Sequence, residues 1–144
     1  MISDFYLGRF QTAVKATRSS EFGSVPNNFI MDNVNCLGNE SSLMDCAHGD
    51  GKTCGPGDGA GVVCFNHLGK LKHLLIGKLF VLFTDFSIRL EDGNASYKGN
   101  VFIGHYSVCS DGWDIRDANV ACRMLGYIHF LHLDKFYSFE IQPG

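Results

Sequence analysis

The sequence has no C-x2-C pair, no H-E-x-x-H and no G-x-S-x-G, and neither sign of charge dominates it. The first absence leaves a zinc module little support, because the cysteine spacings of ten, eight and ten at Cys36, Cys46, Cys54 and Cys64 match no common zinc motif. The next two remove the usual metalloprotease and hydrolase signatures, and the six histidines at 48, 67, 73, 105, 129 and 132 form no catalytic pattern. The chain is therefore expected not to be an enzyme. With 12 basic against 15 acidic residues, the net charge of -3 lacks the footprint of a nucleic-acid binder or of a protein drawn to anionic membranes.

Long apolar runs are also missing. The most apolar stretch, "LLIGKLFVLF" at 74–83, is interrupted by Lys78 and preceded by Lys70 and Lys72. It is too short and too charged to span a bilayer and reads as a buried strand or helix. The opening "MISDFYLGRF" carries Asp4 and has neither the basic start nor the apolar centre of a secretory signal.

What is present is cysteine and glycine. Six cysteines, an even number in glycine-rich surroundings, favour a disulfide framework, for which fifteen pairings are open. Such a framework belongs to an oxidising compartment. Disulfides without a signal lead to the expectation of a fragment, or of a gene model with the wrong start. Seventeen glycines indicate many turns and few long helices.

Along the chain, "FQTAVKATRSS" at 10–20 is read as a short amphipathic helix, although its β-branched residues weaken that reading. "FIMDNVNC" reads as a strand with Phe29, Met31 and Val34 inward and Asp32 and Asn33 outward. Ser41 or Ser42 is placed to cap one helical turn that buries Leu43 and Cys46. Residues 49–61 are nearly all turn, and "AGVVC" is a short strand. "SIRLEDG" alternates, with Asp92-Gly93 as a turn signal, and "YKGNVFIGHYSVC" supplies a second strand with Val101, Ile103 and Val108 inward. "DIRDANVACRMLG" is the clearest helix, with apolar positions 115, 118, 121, 122 and 125, Asp114 as N-cap, Asp117 in the first turn and Gly126 at the end.

These stretches resemble the scavenger receptor cysteine-rich (SRCR) family in its six-cysteine form. "IRLEDG", "KGNVFI" and "VCSDGWDIRDANVACRMLGY" resemble its first half; "FGSVPNNFIMDNVNCLGNESSLMDC" and "CGPGDGAGVVC" resemble its second half. The order is reversed: residues 7–64 match the C-terminal half of a module and 86–127 the N-terminal half. A connector at 65–85 separates them, and a tail of uncertain origin follows at 128–144. Two accounts fit, a piece of a tandem array or a circularly permuted domain, and closure of the halves on each other is favoured. The resemblance implies an α+β fold: a small disulfide-stapled domain, its curved β-sheet cradling one main helix, with glycine-rich loops. It also implies the bonds Cys36 with Cys46, Cys54 with Cys109, and Cys64 with Cys122.

The same resemblance implies a divalent cation, usually Ca²⁺, held by Glu40, Asp111 and Asp114; Ser110 replaces a further Asp of many relatives and weakens the case for a second ion. Read from the residues alone, Asp114 is an N-cap and Glu40 a turn residue. Trp113 reads as a core anchor. Arg116 and Arg123 read as helix-surface residues, and the resemblance implies that Arg116, ahead of Arg123, contacts ligand. Two sequons place glycans at Asn39 and Asn94. The expected function is extracellular recognition, in a secreted protein or the ectodomain of a membrane protein, of protein or polyanionic ligands, in company with neighbouring SRCR modules. The alternatives are a structural spacer in a tandem array or a non-functional gene-model fragment.

Overall fold

The computed structural model describes residues 11–65 and 87–127. The expectations for the opening residues, for the apolar stretch at 74–83, for the connector beyond Phe65 and for the tail lie outside the described residues. Seven strands form one sheet: β1 Ala13–Thr17, β2 Phe29–Asn35, β3 Ala47–Gly49, β4 Gly61–Cys64, β5 Ile88–Glu91, β6 Lys98–Ile103 and β7 Tyr106–Val108. Their order is β1-β4-β6-β7-β2-β3, with β5 also paired to β6. The helix α1, Ile115–Met124, packs on β1, β4 and β2, and a 3-10 turn at Leu43–Asp45 lies against it. The result is the expected α+β fold of a curved sheet cradling one main helix.

The helix forms where its ends are satisfied. Asp114 accepts from the Arg116 and Asp117 backbone N–H groups, and the Asp117 side chain accepts from the Asp114 N–H, a complete capping box. At the other end Gly126 takes φ +92°; its N–H reaches the Arg123 carbonyl, and the Tyr127 N–H reaches Cys122. This is a Schellman closure, which glycine permits at no steric cost. The buried face is broader than the sequence pattern indicated. Asp117, Val120 and Met124 are buried with Ala118, Ala121 and Cys122, whereas Ile115 is 36% exposed. The helix is covered from two sides, so a single apolar stripe does not describe it.

The segment read as an N-terminal helix is strand β1. It pairs antiparallel with β4, Ala13 opposite Cys64 and Thr17 opposite Gly61, with a register shift between Ala13 and Lys15. That shift inserts one residue, so Ala13 and Ala16, which both pack on the core, stand three apart. A bulged strand thus reproduces the spacing of a helix. In β2 the inward residues Met31 and Val34 are likewise three apart, because Asn33 has φ +46°. Asp32 does not turn outward: it is 7% exposed and lies over Gly49, where any Cβ would collide with its carboxylate. The strand expected over 97–109 is two strands, turned at Gly104-His105 with Ile103 opposite Tyr106 and φ +61° at Gly104.

The core joins both parts of the chain. Trp113 is fully buried and its indole N–H donates to the Gly61 carbonyl at 2.9 Å. Three disulfides form, Cys36–Cys46, Cys54–Cys109 and Cys64–Cys122. Two of them, together with the pairings β4 with β6 and β2 with β7, tie residues 11–65 to residues 87–127.

Candidate recognition rim and the family of the chain

Of the acidic residues singled out above, Asp111 and Asp114 belong to the loop Ser110–Asp114, which leaves the Cys54–Cys109 disulfide and enters α1. The loop is held along its length. The Ser110 N–H donates to the Asp58 carbonyl at 2.7 Å, and the Trp113 N–H donates to the Ser110 carbonyl at 3.0 Å. Gly112 has φ +76°, and its open side faces Asn33. On the other flank, the Ser110 hydroxyl accepts from the Ser19 N–H at 3.1 Å, and Arg18 Nε donates to the Trp113 carbonyl at 2.6 Å. The exposed rim therefore carries Arg18, Asn33, Asp111 and Arg116.

Asp114 is engaged twice. Its carboxylate caps α1 and also receives Arg116 Nη2 at 2.8 Å. Burial acts to raise its pKa, but the Arg116 side chain and the N–H groups of Asp117 and Arg116 outweigh it and hold the carboxyl below its usual range. The same bond raises the exposed Arg116 guanidinium. Glu40 accepts from its own turn, Leu37 N–H at 2.8 Å and Gly38 N–H at 2.9 Å. Burial opposes ionisation there too, but those bonds and the charge of Arg123 leave its pKa lowered. Arg123 donates Nη2 to the Gly38 and Glu40 carbonyls, and burial lowers its own pKa.

Glu40 is thus tied to the last turn of α1 and Asp114 to the first. Among the described residues, two groups of three His, Cys, Asp or Glu bring their ligand atoms within 4.8 Å: Cys36, Glu40 and Cys46, and Cys54, Cys109 and Asp111. In both, the sulfurs are spent in disulfides. Glu40, Asp111 and Asp114 do not form such a group. Calcium takes six to eight oxygens, and two of these three carboxylates are occupied by donors of the protein.

Several residues that matter were not singled out from the sequence. Asp117, read as a first-turn acid, is fully buried; it accepts from the Cys36 N–H at 2.8 Å and the Asp114 N–H at 2.9 Å. Burial, with the nearby Asp114 charge, overcomes those bonds and raises its pKa to about 6. Asn119 clamps β1, accepting from the Thr12 and Ala13 N–H groups. Arg18 and Asn33 reach the rim only through long-range folding, so no local pattern marks them. Asn39 and Asn94 are both exposed, as the sequon readings require.

With that geometry in place, comparison with known proteins is informative. The family described as "Scavenger receptor cysteine-rich domain" matches residues 6–65 and 91–143. A scavenger receptor cysteine-rich domain superfamily protein from Patiria pectinifera is 36% identical over 103 residues, 67% of this chain and 7% of that protein. The human CD5 antigen-like protein is 32% identical over 101 residues, 67% of this chain and 26% of its own length. The egg peptide speract receptor of Strongylocentrotus purpuratus is 30% identical over 124 residues, 82% of this chain and 21% of its own. The chain thus spans about a quarter or less of these relatives. No solved structure matches it. With a matching family over most of its length, its six cysteines in three disulfides and one helix in a curved sheet, the chain belongs to the scavenger receptor cysteine-rich domain family.

Proposed function

We propose that the chain is an extracellular recognition module that binds protein or polyanionic ligands through the rim of Arg18, Asp111 and Arg116. The family is one of recognition modules rather than catalysts, which supports the class of function. Among the described residues, no helix is long and apolar enough to cross a membrane. The observation that carries the site is the fixed Ser110–Asp114 loop. A disulfide, a capped helix and the Arg18 bond to the Trp113 carbonyl hold it, so exposed charges are presented without a large ordering cost on binding.

The test is binding of immobilised dextran sulfate and of an acidic polypeptide, polyaspartate, to the oxidised chain. Arg18→Ala or Arg116→Ala should each weaken binding about tenfold, the worth of one charge-assisted contact. Unchanged affinity in both would remove the rim from the proposal, and no binding at all would leave the spacer reading. A calcium ion held by Asp111 with Glu40 or Asp114 is a further part of this proposal. A calcium-dependent rise in Tm, lost in Asp111→Asn, would establish it; an unchanged Tm removes calcium.

The reversed order of the halves, 7–64 before 86–127, is part of the same reading. The disulfides and strand pairs that join the two stretches support their closure on each other, and the order itself rests on the resemblance of their motifs. A module from an array whose neighbours are also SRCR modules, and a permuted domain, both produce this order.

A further inference from the structure

The recognition reading leaves the two sequons unused, Asn39-Glu40-Ser41 and Asn94-Ala95-Ser96. Both asparagines are exposed, but their settings differ. Asn94 lies in the connection between β5 and β6. Asn39 lies inside the loop that Cys36–Cys46 closes, and that loop is held from within. The Glu40 carboxylate ties down the N–H groups of Leu37 and Gly38. Arg123 reaches from α1 to the carbonyls on either side of Asn39, those of Gly38 and Glu40. With its neighbours fixed on both sides, Asn39 has its side chain turned to solvent and bonded to nothing among the described residues. Two positions earlier stands Leu37, 76% exposed, more than any other large apolar side chain described.

One exposed leucine is ordinary on a protein surface. Here it is held rigidly beside a glycan acceptor that is equally rigid. We propose that Asn39 carries an N-linked glycan whose first sugars cover Leu37 and the outer side of the Glu40 turn. The inference rests on the extracellular reading, since the transfer belongs to the secretory route. In that transfer the Asn39 carboxamide nitrogen bonds to the anomeric carbon of a lipid-linked oligosaccharide. The carbon–oxygen bond to the lipid pyrophosphate breaks, the nitrogen gives up a proton, and the lipid pyrophosphate leaves. Because the loop cannot swing away, the sugar stays over Leu37 and replaces an apolar, self-associating contact with a hydrated one. The glycan sits at the last-turn end of α1, away from Arg18 and Arg116 at its start, and leaves that rim open to ligand.

The chain, given a signal peptide, would be secreted from a eukaryotic cell line and its peptides weighed before and after treatment with an N-glycanase. The Asn39 peptide should carry a glycan that Ser41→Ala abolishes while all three disulfides persist. The Ser41→Ala protein should also bind an apolar fluorescent dye severalfold more strongly, and adding Leu37→Ser should reverse that gain. Asn94→Gln should leave both readouts at Asn39 unchanged. A secreted, correctly bonded chain with a bare Asn39 overturns the inference and leaves recognition standing. A glycan present without any gain in dye binding on its removal overturns the covering of Leu37. Failure of the chain to leave the cell would overturn the extracellular reading along with it. Loss of dextran sulfate binding with the glycan in place would count against the recognition reading alone.

Discussion

Asp117 joins the start of α1 to the end of β2, since one carboxylate serves the N–H groups of both Asp114 and Cys36. Its pKa, about 6, exceeds the ordinary value of 3.8 because burial disfavours its charge. An acid held above its unfolded value binds its proton more tightly when folded. Its contribution is therefore complete below about pH 4 and is lost as pH rises towards about 6, on the order of 2 kcal/mol in all. Glu40 and Asp114, whose values are lowered, act in the opposite sense: their contributions are present above the ordinary carboxylate range and fade on acidification. Asp117→Asn isolates the first effect, because asparagine keeps an acceptor for Cys36 but cannot titrate. The stability of the native chain relative to this variant should fall between pH 4 and 6 and level off above. A difference that stays flat in urea titrations across that range would reject the assignment.

At the scale of the element, α1 is the part most legible in the sequence. Its N-cap, first-turn acid and terminal glycine all lie within thirteen residues and act through local hydrogen bonds. Asp114→Ala removes the cap and should destabilise the oxidised chain by about 1 kcal/mol in denaturant unfolding. No loss would mean that the Trp113 anchor and the buried Asp117 hold the first turn without the cap. Strand β1 was not legible in the same way. Its local composition is neutral between helix and strand, and its bulge imposes a three-residue spacing on Ala13 and Ala16. What makes it a strand is β4, which lies more than forty residues further along the chain. The same holds for the split of β6 from β7: Gly104 permits the turn, but the partner Ser107 of Phe29 makes it necessary. Among the site residues, Asp114 and Glu40 fulfil the plainer use that their neighbours indicated, as cap and as turn acceptor.

At the scale of the molecule, two disulfides with sequence separations of 55 and 58 close residues 11–65 on residues 87–127. Each restricts the unfolded chain and is worth about 4 kcal/mol in the loop-entropy account. Thr12 bonds to Asn119 of α1, and Tyr127 closes the same helix a little over two turns later. The two sites lie about 12 Å apart along the helix. A chain rejoined as 87–127 followed by a short linker and 11–65, without the connector, should fold with the same three bonds in non-reducing peptide mapping. Scrambled pairing would show that the present order is required for the fold.

The sequence by itself determined the helix, its caps, the turns and, through its cysteine motifs, the family and the pairing that family implies. These are properties of near neighbours, where a few side chains and backbone groups meet whatever the rest of the chain does. Only the tertiary structure decided that Asp117 is buried, that Arg18 and Asn33 flank the same loop, and that Glu40 and Asp114 are held at opposite ends of one helix. Each of those depends on sheet register and on contacts between distant segments, and a shift of one residue in register would send the same side chains elsewhere.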